Sequence, residues 1–248
     1  MIRERLDVML VERGLVNSRS RAQRLIEAGQ VLVDGNVVTK ASTKVSEANH
    51  VSVDKGDDYV SRGAYKLVGA FDEFGDADPA LVDPTGLNCL DIGASTGGFT
   101  EVLLRRGAAH VIALDVGHGQ LVSRIAQDPR VIEMSGTNIR DVEASDLPFR
   151  PQMIVSDVSF ISLTYVIPVV ARIAAPGAAI VLLVKPQFEV GRAGLDHNGI
   201  VKNDALRQDA LHSIVACAQQ NGLTVVGTAD SPIEGTHGNS EYLLYARA

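Results

Sequence analysis

Seven short apolar segments alternate with longer helical stretches in the second part of the chain, and this alternation constrains the fold more than any other feature. The segments are NCLDIGA, HVIALDV, RVIEM, QMIVSDVS, AAIVLLVK, LTVVGTA and EYLLYARA. Strands that alternate with helices in this way predict a doubly wound, mostly parallel sheet with right-handed crossovers. We therefore expect an α/β fold with seven strands, the last of them inserted antiparallel.

A glycine-rich turn, DIGASTGGFT, follows the first apolar segment and precedes an amphipathic helix. In an open α/β sheet this is a place where a ligand approaches the backbone, although a tight turn without a ligand is an alternative. A phosphate-binding P-loop would need a lysine where Phe99 stands, and a dinucleotide fingerprint would need a glycine where Ser95 stands. Asp91, directly before the turn, would also repel a pyrophosphate.

The Asp91 carboxylate suits instead a cofactor that carries a cationic amino group and a sulfonium, so S-adenosylmethionine fits the turn best. Asp115 closes the next strand, 24 residues later, where a carboxylate can accept hydrogen bonds from both ribose hydroxyls of a nucleoside. Asn138, after the third strand, is a candidate contact for the adenine. A turn-forming asparagine is an equally good interpretation of that residue.

Charged residues stand at three further strand ends of the expected sheet. Asp157 follows the fourth strand, Lys185 follows the fifth, and Glu241 precedes the last. Ligands bind at the carboxyl edge of an open α/β sheet, which makes these residues candidates for chemistry. Taken singly, a lysine at a strand end more often extends its ammonium to solvent, and Asp157 could cap a helix.

Two kinds of methylation target are disfavoured by the residues near these strand ends. The loop after the fourth strand, SDVSF, lacks the prolines of the [DN]-P-P-[YF] loop that is usual in methylation of base amines. A cytosine C5 methylase needs a nucleophilic cysteine at its site, whereas Cys89 and Cys217 lie away from the carboxyl ends of the strands. The six histidines show no metal-ligand spacing, so we expect no metal site.

Charge is distributed unevenly along the chain. Residues 1–55 hold nine Lys/Arg and seven Asp/Glu, a net charge of +2, whereas residues 56–248 carry a net charge of −9. A partner with phosphates would therefore meet the N-terminal part first. No apolar run approaches the roughly 18 residues of a membrane span, and the N-terminus is too charged for a secretory signal. We expect a cytoplasmic protein without a membrane anchor.

The N-terminal part predicts two helices, RLDVMLVERG and SRSRAQRLIEAG, followed by two short strands about an Asp34-Gly35 turn. The run SRSRAQRLIEAGQVLVDGNVVTKASTKV resembles an S4 domain, a small RNA-binding module. Without that resemblance, arginines on one helix would indicate only a solvated face. The resemblance implies recognition of the shape and phosphates of structured RNA, with contacts from Arg5, Arg19, Arg21, Arg24 and Lys40.

Five separated blocks resemble one family across essentially the whole chain: VSRGAYKL, CLDIGASTGGFTEVLLRRGA, VSDVSFISL, LLVKPQFEVG and GNSEYLL. They are similar to the TlyA, or hemolysin A-like, family of ribosomal RNA 2′-O-methyltransferases, whose catalytic domain is similar to that of FtsJ methyltransferases. The resemblance implies a Lys-Asp-Lys-Glu tetrad at Lys66, Asp157, Lys185 and Glu241. It also implies S-adenosylmethionine held around Gly93, Ala94, Ser95, Thr96, Gly97, Asp115 and Asn138.

The expected architecture is a class I, Rossmann-like methyltransferase domain at residues 64–248, preceded by a linker at 56–63 and a small α+β S4-like RNA-binding domain at 1–55. Our hypothesis for the tetrad is that Lys185 orients or deprotonates a ribose 2′-hydroxyl. Asp157 would hold Lys185 and face the cofactor. Lys66 and Glu241 would complete the network.

The substrate that the resemblance implies is a cytidine ribose of ribosomal RNA within ribosomal subunits. The family has a form that acts on 23S RNA and a longer form that also acts on 16S RNA, and this chain looks like the shorter form. Such methylation would affect sensitivity to ribosome-targeting cyclic peptide antibiotics. We expect a monomer. The alternatives are a pore-forming hemolysin, which the lack of a membrane segment disfavours, and an RNA-binding assembly factor with a silent methylase domain, which the complete tetrad disfavours.

Overall fold

The computed structural model describes residues 4–16, 18–53, 59–81, 83–235 and 238–248. The chain divides into a smaller compact unit within Met1–Asp58 and a larger one, Tyr59–Ala248. Tyr59 and Val60, which we assigned to a linker, pack against the core of the larger unit. That unit therefore begins before Ala64, and residues 56–58 of the expected linker lie outside the described residues.

The smaller unit combines two helices with two small sheets. Its elements are β1 (Glu4–Arg5), α1 (Leu6–Glu12), α2 (Arg19–Glu27), β2 (Val31–Val33), β3 (Asn36–Val37), β4 (Lys44–Val45) and β5 (Val51–Val53). β2 is the central strand of a three-stranded antiparallel sheet between β3 and β5, and β1 pairs with β4. Leu25 and Ile26 of α2 lie in the core.

The β2–β3 hairpin turns at Asp34 and Gly35, as the sequence predicts. Both residues adopt positive φ angles, 49° and 80°, which is the geometry of a two-residue hairpin loop whose twist matches the strands. The Asp34 carboxylate accepts a hydrogen bond from the backbone N–H of His50 at 2.8 Å and another from Asn49 Nδ2 at 2.6 Å. The turn is therefore tied to the segment that leads into β5.

The larger unit is an α/β domain whose helices lie on both faces of one sheet. Its elements are α3 (Ala64–Phe74), β6 (Asn88–Ile92), α4 (Gly98–Arg105), β7 (His110–Asp115), α5 (Ser123–Ala126), β8 (Val131–Ser135), β9 (Met153–Ser156), α6 (Leu163–Ile173), β10 (Ala179–Val184), α7 (Asp204–Gln220), β11 (Thr224–Asp230) and β12 (Tyr242–Arg247). Among the described residues, no helix is long and apolar enough to cross a membrane.

The seven strands are ordered β11-β12-β10-β9-β6-β7-β8. β12 lies between β10 and β11 and runs antiparallel to both, whereas β10, β9, β6, β7 and β8 are joined by parallel pairing. The predicted seven-stranded sheet with an inserted antiparallel last strand is confirmed.

β10 shows why the predicted strands are continuously apolar. Ile180 and Leu182 belong to the core on one face of the sheet, and Val181 and Leu183 belong to the core on the other. Because helices cover both faces, alternate residues of a central strand are buried on opposite sides and all of them are apolar. In β10 the first charged residue, Lys185, comes directly after the last residue of the strand.

Substitution of Gly69, in the middle of α3, should change stability in the direction opposite to that expected from helix propensity. A Cβ added at this position would lie 2.4 Å from Pro232 Cγ, so a side chain there collides with a rigid ring. Gly69→Ala should lower the free energy of unfolding by about 1–3 kcal/mol, although helix propensity alone would raise it by about 1 kcal/mol.

Denaturant unfolding of the single and double variants checks this prediction. In a Pro232→Ala background the ring is absent, so Gly69→Ala should be neutral or stabilising. A stabilising effect of Gly69→Ala in the unmodified protein would show that the helix and the Pro232 segment move apart freely.

Candidate active site

The carboxyl ends of the parallel strands bring together charged residues from distant parts of the chain. β9 and β10 end at this edge of the sheet, and the antiparallel β12 begins there. Asp157 directly follows β9, Lys185 directly follows β10, and Glu241 directly precedes β12. Lys66 joins them from the first turn of α3. The inserted strand is thus what allows a residue near the end of the chain to reach the carboxyl ends of the parallel strands.

The four side chains form a continuous row of alternating charge, which we call the tetrad. Lys66 Nζ donates a hydrogen bond to Glu241 Oε2 at 2.6 Å and lies 3.6 Å from Asp157 Oδ2. Lys185 Nζ lies 2.7 Å from Asp157 Oδ1, an ion-pair distance whose angles do not make a hydrogen bond. Asp157 therefore stands between the two ammonium groups.

Three of the four tetrad residues are buried, and Asp157 is partly exposed. A buried charge without a partner is costly, whereas two lysines and two carboxylates compensate one another. Lys185 gains a further partner, because its Nζ donates to Ser159 Oγ at 2.9 Å. The ordinary alternative for Lys185, an ammonium extended to solvent, is wrong for this structure.

The glycine-rich loop between β6 and α4 packs directly against the tetrad. Gly93 has φ +84°, and a Cβ there would lie 2.8 Å from the carbonyl oxygen of Asp157. Only a glycine combines this backbone conformation with so close an approach. Ser95, at φ 48°, donates its backbone N–H to Asp115 Oδ2 at 2.8 Å. The loop is therefore fixed between the ends of β7 and β9.

Two adjoining hollows open beside the loop. The large cleft, of about 800 Å³, is lined by Gly93, Ser95, Asp115 and Asn138 among others. The tetrad hollow, of about 260 Å³, is lined by all four tetrad residues and by Gly93, Ala94, Ser95 and Thr96. Gly93, Ser95, Asp157 and Ser159 line both, so a ligand in the cleft would meet the tetrad.

The large cleft suits a nucleoside with a charged tail. Asp115 supplies a carboxylate, while Leu114, Val116 and Ile139 supply apolar surface. Asn138 lines the cleft, and its Oδ1 accepts hydrogen bonds from the backbone N–H and the Nε of Arg140 at 3.1 and 3.3 Å. The turn-forming interpretation of Asn138 is therefore correct, and the residue's amide Nδ2 remains the group that could reach an adenine.

Two of the expected cofactor contacts lie off the walls of both hollows. Gly97, with φ +97°, caps α4 and packs against Leu121 and Ile125. Asp91 has no exposed surface and lies beneath the loop. Direct contacts from these two residues to a cofactor therefore stay a prediction, and the structure shows them supporting the loop, Gly97 as the N-cap of α4 and Asp91 through Thr100.

Asp91 is nevertheless unusual for a buried carboxyl. Its Oδ2 accepts a hydrogen bond from Thr100 Oγ1 at 2.7 Å, and its Oδ1 has no hydrogen-bond partner within the described ranges. Burial raises the pKa of the Asp91 carboxyl to about 7, against the opposing effect of Thr100. A cationic group placed near the loop would lower that pKa again.

Sequence reasoning missed a group of aromatic residues on the rim of the large cleft. The Phe160 side chain is 92% exposed, and the residue adopts φ 64°, an unusual angle for a bulky residue. Its ring centroid lies 5.2 Å from that of Phe188, and the exposed Tyr165 lines the same cleft. The available signal was the Phe in SDVSF, which we used only to exclude base-amine methylation.

A seven-stranded sheet with an inserted antiparallel strand, a glycine loop held by a strand-end carboxylate and a buried Lys-Asp-Lys-Glu cluster together define a class I methyltransferase. The model of the FtsJ-like methyltransferase family matches residues 59–248, and that of the S4 domain matches residues 4–51. The chain belongs to the FtsJ-like methyltransferase family and carries an S4 domain.

Curated relatives cover nearly the whole chain. The chain is 46% identical to the 16S/23S rRNA (cytidine-2′-O)-methyltransferase TlyA of Mycobacterium tuberculosis, over 99% of this chain and 90% of the relative. It is 40% identical to Hemolysin A of Brachyspira hyodysenteriae, over 97% and 98%. It is 34% identical to the 23S rRNA (cytidine-2′-O)-methyltransferase TlyA of Campylobacter jejuni, over 95% and 96%.

Solved structures agree with this assignment. A protein of Streptococcus thermophilus described as a hemolysin has a TM-score of 0.73 and 39% identity, covering all of this chain and 89% of the other. An S-adenosylmethionine-dependent methyltransferase of Mesorhizobium loti, at 16% identity and a TM-score of 0.52, covers 73% of this chain and 100% of its own. That second likeness shows the fold alone.

The raised pKa of Asp91 predicts a pH dependence of stability. The carboxyl titrates near 7 in the folded protein and near 3.8 when unfolded, so the unfolded state releases the proton first as the pH rises. Stability should therefore fall between pH 4 and pH 7, by up to about 1.4 kcal/mol per pH unit from this group. Asp91→Asn, which cannot ionise, should remove that contribution.

Unfolding free energies of the unmodified protein and Asp91→Asn at pH 5.5 and 7.5 test the point. The variant should gain stability relative to the unmodified protein at the higher pH. Asp72→Asn, which removes an exposed carboxyl from α3, is the matched control. Identical pH profiles for the unmodified protein and Asp91→Asn would show that Asp91 is ionised throughout.

Proposed function

We propose that the chain transfers a methyl group from S-adenosylmethionine to the 2′-hydroxyl of a cytidine ribose in ribosomal RNA. The observation that carries this proposal is the convergence of Lys66, Asp157, Lys185 and Glu241 beside the glycine loop. The relatives named for this reaction on ribosomal RNA, at 46% and 34% identity over nearly the whole chain, support the substrate class.

S-adenosylmethionine supplies an electrophilic methyl group and fits the large cleft by its chemistry. Asp115 would accept hydrogen bonds from the ribose hydroxyls, and Asn138 would contact the adenine. Gly93 lets the loop backbone pack closely against Asp157 and so shapes the wall of the cleft, since any side chain there would collide with the Asp157 carbonyl. Asp91 beneath the loop adds a carboxyl that a nearby cation would ionise.

Lys185 is the residue placed to orient the target hydroxyl. Its ammonium has three N–H donors, and the structure places Asp157 and Ser159 on two sides of it. An N–H that Ser159 does not take can bind the ribose oxygen from the wall of the tetrad hollow. Orientation of a weak nucleophile contributes up to about 7–11 kcal/mol in ideal cases, which makes positioning the principal role we propose for Lys185.

Lys66 and Glu241 hold Asp157 in place. The short hydrogen bond from Lys66 to Glu241 fixes the Lys66 ammonium, which then lies against the second oxygen of Asp157. Both residues are buried, so their geometry is insulated from solvent. We propose that they act on the reaction through Asp157 and Lys185 and do not bind the target oxygen.

Phe160 and Phe188 offer a surface for the target base. An exposed ring on the rim of the large cleft, which adjoins the tetrad hollow, suits stacking of an unpaired base, which is how proteins commonly recognise RNA bases. Lys185 Nζ lies 5.9 Å from the Phe188 ring centroid, so the aromatic rim and the tetrad are neighbours.

The smaller unit would supply affinity for the RNA. Arg24 and Lys40 are exposed, Arg19 is exposed at the start of α2, and Arg5 and Arg21 are half-buried. We propose that these cations contact phosphates of ribosomal subunits. The substrate would be 23S RNA, with 16S RNA as a second one. The enzyme would act as a monomer in the cytoplasm. A supporting observation for the monomer is that one chain supplies the whole tetrad. Changed sensitivity to ribosome-targeting cyclic peptide antibiotics would follow.

Lys185→Ala should abolish methyl transfer while cofactor binding remains, because the residue orients the hydroxyl and lines the tetrad hollow and not the large cleft proposed for the cofactor. Incorporation of labelled methyl groups into unmodified ribosomal subunits measures the first property, and calorimetric titration with S-adenosylmethionine measures the second. Lys202→Ala is the control, since Lys202 is exposed and paired only with Asp196 in the described part of the chain. Turnover by Lys185→Ala would remove Lys185 from the mechanism.

Phe160→Ala should reduce kcat/KM for ribosomal RNA by about 10- to 100-fold, because stacking of one base on an aromatic ring contributes about 1–3 kcal/mol. Phe160→Tyr keeps the ring and should retain most of the activity. Methyl transfer under single-turnover conditions provides the comparison. Equal activity of the Ala and Tyr variants would show that the ring does not contact the base.

A further inference from the structure

The smaller unit buries a carboxylate directly beneath two of the arginines proposed to bind RNA. Asp7 lies in the first turn of α1 and has no exposed surface. Arg5 precedes it on β1, and Arg19 begins α2. A buried carboxylate next to cations that should be free for phosphate is unexpected if those cations act only through their charge.

Asp7 binds each arginine through its Nε side. Arg5 Nε donates to Asp7 Oδ1 at 2.8 Å and Arg5 Nη2 donates to Oδ2 at 3.1 Å, which is a bidentate arrangement. Arg19 Nε donates to Oδ2 at 3.1 Å, and Gln23 Nε2 donates to the same oxygen at 2.9 Å. These bonds hold the pKa of the Asp7 carboxyl well below its usual range, with Arg5 the largest cause.

The outer nitrogens of both guanidinium groups stay available. A guanidinium has five N–H donors in a rigid fork, and Asp7 takes two from Arg5 and one from Arg19. The side chains of Arg5 and Arg19 are 39% and 57% exposed. Because Arg5 and Arg19 share the single negative charge of Asp7, the group keeps a net positive charge. The N–H donors that carry it are held in place and lie toward solvent.

We propose that Asp7 is a positioning residue for RNA recognition. It holds Arg5 and Arg19 so that the N–H groups it does not bind form a binding site for one backbone phosphate. Both arginines lose their side-chain freedom on folding, so less remains to be lost when the RNA binds. Arginine suits the role because its fork binds phosphate with two N–H groups while a third anchors it. The inference rests on the proposed function of the smaller unit in binding ribosomal RNA.

If Asp7 had a purely structural role, its substitution should not weaken the binding of RNA. Asp7 also joins α1 to α2, and a simple staple would affect stability alone. Asp7→Asn removes a negative charge from a surface that meets a polyanion, so plain electrostatics predicts tighter binding. Positioning predicts weaker binding, because the arginines lose their anchor. The sign of the change therefore separates the two roles.

The test uses the full chain and 23S ribosomal RNA, with affinity measured over a series of KCl concentrations. Asp7→Asn should weaken binding about tenfold, the loss of a hydrogen bond to a charged group, and should reduce the steepness of log K against log salt by about 0.7–0.9, the loss of one phosphate contact. Glu27→Gln removes a similar charge from the exposed end of α2 and should bind as well as the unmodified protein or better.

Arg19→Lys is the second variant, because it keeps the charge at an exposed position and does not endanger the fold. It should also bind more weakly, since an ammonium cannot bind Asp7 and a phosphate through one rigid fork. In steady-state methylation both variants should raise KM for the RNA more than they lower kcat. Thermal melting of each variant separates unfolding from loss of positioning.

Two results would overturn the inference. One is binding by Asp7→Asn as tight as that of Glu27→Gln. The other is weak binding by Asp7→Asn together with unmodified affinity for Arg19→Lys, which would show that RNA binding does not depend on the arginine fork that Asp7 holds. Binding of ribosomal RNA without methyl transfer would contradict the proposed reaction alone, whereas absence of binding by the unmodified protein would contradict both proposals.

Discussion

The interaction on which the larger unit depends is the pairing of Asp157 with two lysines. Lys66 and Lys185 come from distant parts of the domain sequence, and each is buried beside this one carboxylate. Without Asp157, Lys185 would lose its carboxylate partner and Lys66 would keep only Glu241, and a buried charge is costly without a partner. Glu241 balances the remaining positive charge, so the loss of any one of the four groups would leave a buried charge uncompensated.

The glycine loop depends on the same residue. The carbonyl of Asp157 occupies the space that a side chain at position 93 would need, so the backbone of one residue shapes the cofactor loop while its side chain organises the tetrad. Asp115 holds the other end of the loop through Ser95. The distance between the large cleft and the tetrad is thereby set by main-chain packing and not by mobile side chains.

Much of this arrangement can be predicted from the sequence, for physical reasons that differ from residue to residue. The strands are evident because a sheet covered on both faces needs unbroken apolar runs, and Lys185 is visible as the charge that ends one. The composition of the tetrad came from resemblance, since no local pattern shows that Lys66 and Glu241 meet across 175 positions. The φ angle of Phe160, the burial of Asp91 and the pairing of Asp7 depend on tertiary packing, which periodicity does not contain.

The position of β12 in the sheet also determines when the larger unit can complete its fold. β12 is made after every other strand, yet it lies in the interior of the sheet and joins β10 to β11. While a nascent chain is still emerging, β10 has an open edge and Glu241 is absent from the cluster. The sheet and the tetrad can therefore be completed only after β12 itself has been made and has emerged, so the larger unit cannot finish folding while any of its strands is still being synthesised.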